Sequence, residues 1–157
     1  MTLAIKRITI KDDICNFMVK RAEKYLMLTL CKLYGVSEEY YNAEHFVKNK
    51  NLKVDREIDF YLKNNGNKYK CEVKLMGQGN PESADAKIAR DSDLLVADTL
   101  SQQNKDQCDE RDICWVACRD NNGFKRIKLA FEKFGIPYTD YNGNFDKDLP
   151  LILKELF

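Results

Sequence analysis

Two runs of alternating apolar and polar residues flank Asn64-Asn65-Gly66-Asn67. Asn-Gly supplies the positive φ angles of a two-residue type I′ turn, so residues 56–75 read as a β-hairpin. With Asn65 and Gly66 in the turn, Tyr61 faces Lys70, Asp59 faces Glu72 and Glu57 faces Lys74. Paired residues share a face. Ile58, Phe60, Leu62, Tyr69, Cys71, Val73 and Leu75 therefore line a core-seeking side, and Glu57, Asp59, Tyr61, Lys70, Glu72 and Lys74 line a charged one.

Around this hairpin the periodicity changes to three and four. Ile14, Phe17, Met18, Tyr25 and Leu28 mark a helix over residues 11–34, with Asp12 and Asp13 near its start and Gly35 after its end. Between 37 and 55 the pattern is ambiguous: Ser37 could cap a short helix, and Ala43 to Val47 could be extended. Gly77 and Gly79 permit a sharp turn after Lys74, and Pro81 suits the first turn of a helix running to Arg90. Leu94–Ala97 and Ile113–Cys118 read as short buried strands with Trp115 in the core, and Thr99–Gln107 as a polar helix or loop. Asn121-Asn122-Gly123 makes a turn. A helix over Phe124–Phe134 follows, with Phe124, Ile127, Phe131 and Phe134 inward, Lys125, Arg126 and Lys128 outward, and Gly135 closing it. Ile136–Tyr141 reads as an edge strand and Leu149–Leu156 as a last helix. Together these elements predict an α/β fold, a mixed sheet flanked by helices.

Composition narrows the picture. A chain of 157 residues with 44% hydrophobic content suits one domain, residues 1–157. Its 26 basic and 25 acidic residues cancel, but residues 1–24 and 119–133 are locally basic and 106–112 acidic, and local patches can hold phosphates without a basic pI. Six cysteines occur without a CxxC pair or a disulfide-framework spacing, which together with the absence of a signal peptide predicts reduced thiols and a cytoplasmic location. His45 is the single histidine, which disfavours zinc and multi-histidine nuclease chemistry. No apolar run approaches the roughly 18 residues of a membrane span.

The charged hairpin face carries the candidate chemistry. Two carboxylates directly opposite one another repel, by about 0.2–1 kcal/mol on a solvated sheet. A divalent cation between Asp59 and Glu72 would turn that repulsion into binding, and Lys74 could attend a bound water or phosphate. Spacing alone does not separate this from an ordinary solvated sheet face.

Asp59 followed by Glu72-Val73-Lys74 resembles the active-site signature of PD-(D/E)xK nucleases, with Ile58 standing where the superfamily name has Pro. The stretch from Glu72 through Met76-Gly77-Gln78-Gly79-Asn80-Pro81-Glu82-Ser83-Ala84-Asp85-Ala86, Ala89-Arg90-Asp91 and Val96-Ala97-Asp98-Thr99-Leu100-Ser101 resembles CfrBI-type type II restriction endonucleases, most firmly over residues 56–119. That resemblance implies a restriction-endonuclease-like core and Mg²⁺-dependent hydrolysis of double-stranded DNA. Asp59 and Glu72, with the Val73 carbonyl, would be metal ligands, and Lys74 the group that orients water. Glu44 and Glu57 are additional acidic candidates, and Gln78, Asn80, Glu82 and Arg90 are candidates for DNA contact. The resemblance also implies a homodimer matched to a palindromic site, or a partner subunit if the enzyme is split. The alternatives are a structure-selective repair or junction nuclease of the same fold and a non-catalytic DNA-binding domain.

Overall fold

The computed structural model describes residues 23, 25–42, 60–75 and 91–156. Five strands form one mixed sheet in the order β1 (Tyr41–Asn42), β2 (Phe60–Asn64), β3 (Asn67–Lys74), β4 (Leu94–Ala97) and β5 (Cys114–Ala117). β1, β2 and β3 pair antiparallel, whereas β3, β4 and β5 run parallel. The hairpin register is the one that the turn predicts: Phe60 pairs with Cys71, Tyr61 with Lys70 and Asn64 with Asn67. Asn65 and Gly66 both take positive φ, 50° and 81°, as a type I′ turn requires.

The two sheet faces are covered unequally. On one, Phe60, Leu62, Cys71, Val73, Leu94, Val96 and Val116 meet helix α1 (residues 25–33), through Met27, Leu30, Cys31 and Tyr34, together with helix α3 (Ile127–Phe134), through Ile127, Ala130, Phe131 and Phe134. This is the main core, and Leu62, Leu94, Val96 and Phe131 are 0% exposed in it. On the other face, helix α2 (Gln102–Glu110) packs Cys108 on Leu95 and Ile113, with Trp115 alongside. Ser101 starts α2 by accepting a hydrogen bond from the Asn104 backbone N–H, 3.2 Å. The last helix, α4 (Phe145–Leu156), carries Ile152 towards the main core.

Both core helices end in the same way. Gly35 and Gly135 adopt left-handed φ of 59° and 67°, and the backbone N–H groups of Val36 and Ile136 reach back to the Cys31 and Phe131 carbonyls at 2.9 and 2.8 Å. These are Schellman closures, which fix where each chain leaves its helix. Asn64 ties the hairpin tip to the second one, its Nδ2 donating to the Phe134 and Gly135 carbonyls at 3.0 and 2.8 Å.

Three expectations need correction. Residues 136–141 form no edge strand: Pro137 has no N–H to give, the Ile136 N–H closes α3, and the Thr139 N–H donates to the Tyr34 carbonyl at 2.8 Å. Among the described residues β1 flanks β2 instead. The helix expected over 124–134 is split into a 3-10 turn (Gly123–Arg126) and α3, and the turn starts at a glycine whose added β-carbon would overlap the Ala117 carbonyl oxygen. Arg126 does not point simply outward. Its guanidinium lies 3.7 Å from the centre of the Trp115 ring and its Nε donates to the Trp115 carbonyl at 3.1 Å, so Trp115 is a half-buried platform under a cation.

Candidate active site

Strand alternation puts Cys71 and Val73 in the main core and Glu72 and Lys74 on the opposite face of β3. Both chemical groups remain within reach of solvent: the Glu72 side chain is 18% exposed and that of Lys74 36%. Lys74 Nζ lies 3.6 Å from Glu72 Oε1. Glu72 is in register with Leu95, which α2 covers, and Lys74 with Ala97. Away from α2, the same face continues through Lys70, Tyr61, Lys68 and Lys63, all half-buried or exposed. Among the described residues, the acid and the amine thus stand where the part of this face that α2 covers gives way to a half-buried part rich in lysine.

A second carboxylate reaches the end of the same strand. Glu23, in helical conformation just ahead of α1, accepts a hydrogen bond from the Leu75 backbone N–H at 3.2 Å. The next strand end is held by Asp98, which is 8% exposed. Its backbone N–H donates to the Lys74 carbonyl at 3.4 Å, and its Oδ2 lies 3.8 Å from Arg119. Thiol chemistry has no place here. Burial pushes the Cys71 thiol well above its ordinary range, and burial followed by the Asp98 charge pushes Cys118 up to about 11, so both stay protonated at neutral pH.

What this arrangement offers is an oxygen ligand for a hard cation and an ammonium close enough to share its water or an anionic substrate. The model of the CfrBI restriction endonuclease family matches residues 1–105, a span that contains β3, Glu72 and Lys74. The chain belongs to the CfrBI restriction endonuclease family. This family membership makes it an endodeoxyribonuclease, a DNA-binding hydrolase. No curated protein and no solved structure is detectably similar to it.

Of the residues singled out in the sequence of this restriction endonuclease, Glu72, Val73 and Lys74 are brought together on β3, with the Val73 side chain in the core. Asp59, Glu44, Glu57, Gln78, Asn80, Glu82, Arg90 and His45 lie outside the described residues. Among the described residues no group of three or more His, Cys, Asp and Glu side chains gathers as a metal site. Glu72 fits a hard cation as one ligand of a set, not as the whole set.

Glu23 is the residue that the sequence reading passed over. The signal was present: Glu23 stands four, seven and eleven positions before Met27, Leu30 and Tyr34, which are 0%, 1% and 1% exposed. A carboxylate on the buried stripe of an amphipathic helix needs a partner, and the strand end provides one.

Proposed function

We propose that this chain is a Mg²⁺-dependent type II restriction endonuclease that hydrolyses phosphodiester bonds of double-stranded DNA at a specific sequence. The observation that carries the reading is the Glu72–Lys74 pair, 3.6 Å apart and open to solvent on the strand that the family match spans. Asp59 would stand opposite Glu72 if the hairpin register continues by one residue, and the two carboxylates, helped by the Val73 carbonyl, would hold the cation. Bound there, Mg²⁺ lowers the pKa of a water and offsets charge on the scissile phosphate. Lys74 donates hydrogen bonds to the attacking water and to a non-bridging phosphate oxygen, stabilising the charge that grows as the water oxygen bonds to phosphorus. The water gives up one proton to solvent as its oxygen bonds to phosphorus, one P–O ester bond breaks, and the leaving oxygen takes up a proton from solvent.

Glu57, in register with Lys74 on the same extrapolation, and Glu44 are supporting acids in this reading. Gln78, Asn80, Glu82 and Arg90, just beyond the catalytic strand, would meet DNA. Cutting both strands of a palindrome calls for a homodimer or a partner subunit in the cytoplasm. The test is incubation with plasmids of known sequence, Mg²⁺ present or chelated. Discrete fragments whose ends share a sequence are expected. Cleavage confined to branched DNA would replace sequence specificity with structure selectivity, and cleavage unaffected by chelator would remove the metal.

A further inference from the structure

The lysine-rich part of the charged face has a feature that catalysis does not require. Lys63 and Lys68 are directly paired across β2 and β3, and like charges in that position repel. Neither has an ion-pair partner among the described residues. Lys70 follows on the same face of β3, so among the described residues Lys63, Lys68 and Lys70 form the half of this face nearest the turn, ahead of Glu72 and Lys74. Tyr61 stands among them, its ring 6.0 Å from the Lys68 ammonium. Acidic neighbours lie at the margins: Glu39 borders the shallow hollow beside Lys63 and Lys68, and Asp93 accepts from the Lys70 backbone N–H at 2.7 Å.

The platform is rigid as well as basic. Asn64 bolts the tip to the end of α3, and the Tyr69 ring stacks on Phe134 with centroids 4.2 Å apart, so the lysines project from a fixed strand. From Lys68 to Lys74 is six residues, roughly 20 Å of extended strand. At 3.4 Å of axial rise per base pair that is about six base pairs measured along the duplex axis.

We propose that the ladder Lys63–Lys68–Lys70 is a sequence-independent clamp for duplex DNA phosphates flanking the cut, guiding one backbone along the hairpin into the Glu72–Lys74 site. The inference rests on the nuclease reading for its substrate but is separable from it by experiment. The cross-strand repulsion is relieved when phosphates lie between the ammonium groups. A clamp of this kind carries no base readout.

The test is the salt dependence of binding to two 25-base-pair duplexes of unrelated sequence, in chelator so that no cutting occurs. Lys63→Gln/Lys68→Gln is compared with wild type and with Lys147→Gln/Lys154→Gln, which removes the same charge from α4. Loss of two phosphate contacts lowers the slope of log Kd against log salt by about 1.8, so that between 50 and 200 mM salt the hairpin variant loses about tenfold less affinity than wild type does. The α4 variant keeps the wild-type slope. Both duplexes respond alike, and the hairpin variant melts close to wild type, since relief of the Lys63–Lys68 repulsion offsets the Lys68–Tyr61 contact that it loses. An unchanged slope, an equal fall in the α4 variant, an effect on one duplex alone, or no wild-type binding at any salt overturns the clamp. Failure of Mg²⁺-dependent cutting with the slope change intact would instead count against the catalytic reading alone.

Discussion

Asn64 links the β2–β3 hairpin to the core, and its replacement gives a sharp energetic forecast. Its Nδ2 donates to the Phe134 and Gly135 carbonyls at 3.0 and 2.8 Å, beyond the two carbonyls already used by the Schellman closure of α3. Each such bond contributes about 0.5–1.5 kcal/mol net, so Asn64→Ala should cost about 1–3 kcal/mol. At about 2–4 °C per kcal/mol for a chain of this length, the melting temperature falls by roughly 2–12 °C. Asn64→Asp should cost more than Ala, because it sets a carboxylate against two carbonyl oxygens at the negative end of a helix. Urea unfolding at pH 7 measures both, with the slope expected to stay constant while the midpoint moves. An Ala variant within about 0.5 kcal/mol of wild type, the scatter of neutral surface changes, or an Asp variant more stable than Ala, would refute the reasoning.

Phe131, 0% exposed between α1 and the sheet, should cost about 3–5 kcal/mol on truncation to Ala, read as a lower urea midpoint. Gly123→Ala should lose about 1–3 kcal/mol by the same assay, since its β-carbon would overlap the Ala117 carbonyl oxygen. Stability should fall as pH rises from about 9 to about 11. The Cys118 thiol keeps its proton up to about 11 when folded, whereas an unfolded thiol loses it near the ordinary value of 9.0. Urea midpoints at pH 8 and 10.5 check the direction, and a higher midpoint at 10.5 would contradict it. Cys31 and Cys71, 0% and 2% exposed with thiols pushed up by burial, should resist iodoacetamide until urea unfolds the chain.

The hairpin was legible because one dipeptide and a period of two fix both turn and register: Asn65-Gly66 left no room for slippage, and Tyr61 meets Lys70 as the pattern requires. Leu94–Ala97 was legible because a strand buried on both faces reads as an unbroken apolar run. Three things were harder to read. Ile136–Tyr141 has strand-like composition, but the Ile136 N–H closes the adjoining helix α3 and the Thr139 N–H bonds Tyr34 at the end of α1, a partner distant in sequence that local periodicity does not register. Arg126 looked solvated, although the Trp115 ring beneath it was supplied by another strand. At the site, the shared face of Glu72 and Lys74 follows from alternation alone, but the preference for Glu72 as a metal ligand rested on the family resemblance, and the helical stripe that marks Glu23 does not name the Leu75 N–H as its partner.

Single-turnover cleavage of a cognate duplex by wild type, Glu72→Gln and Lys74→Ala, with binding and unfolding recorded on the same preparations, bears most directly on the central claim. The Glu72–Lys74 pair is solvent-accessible and should contribute only about 0–1 kcal/mol to folding. Each variant should therefore unfold close to wild type and still bind DNA, while its cleavage rate falls by about 10²–10³ or more. A Lys74→Ala protein that cuts at the wild-type rate would contradict the account.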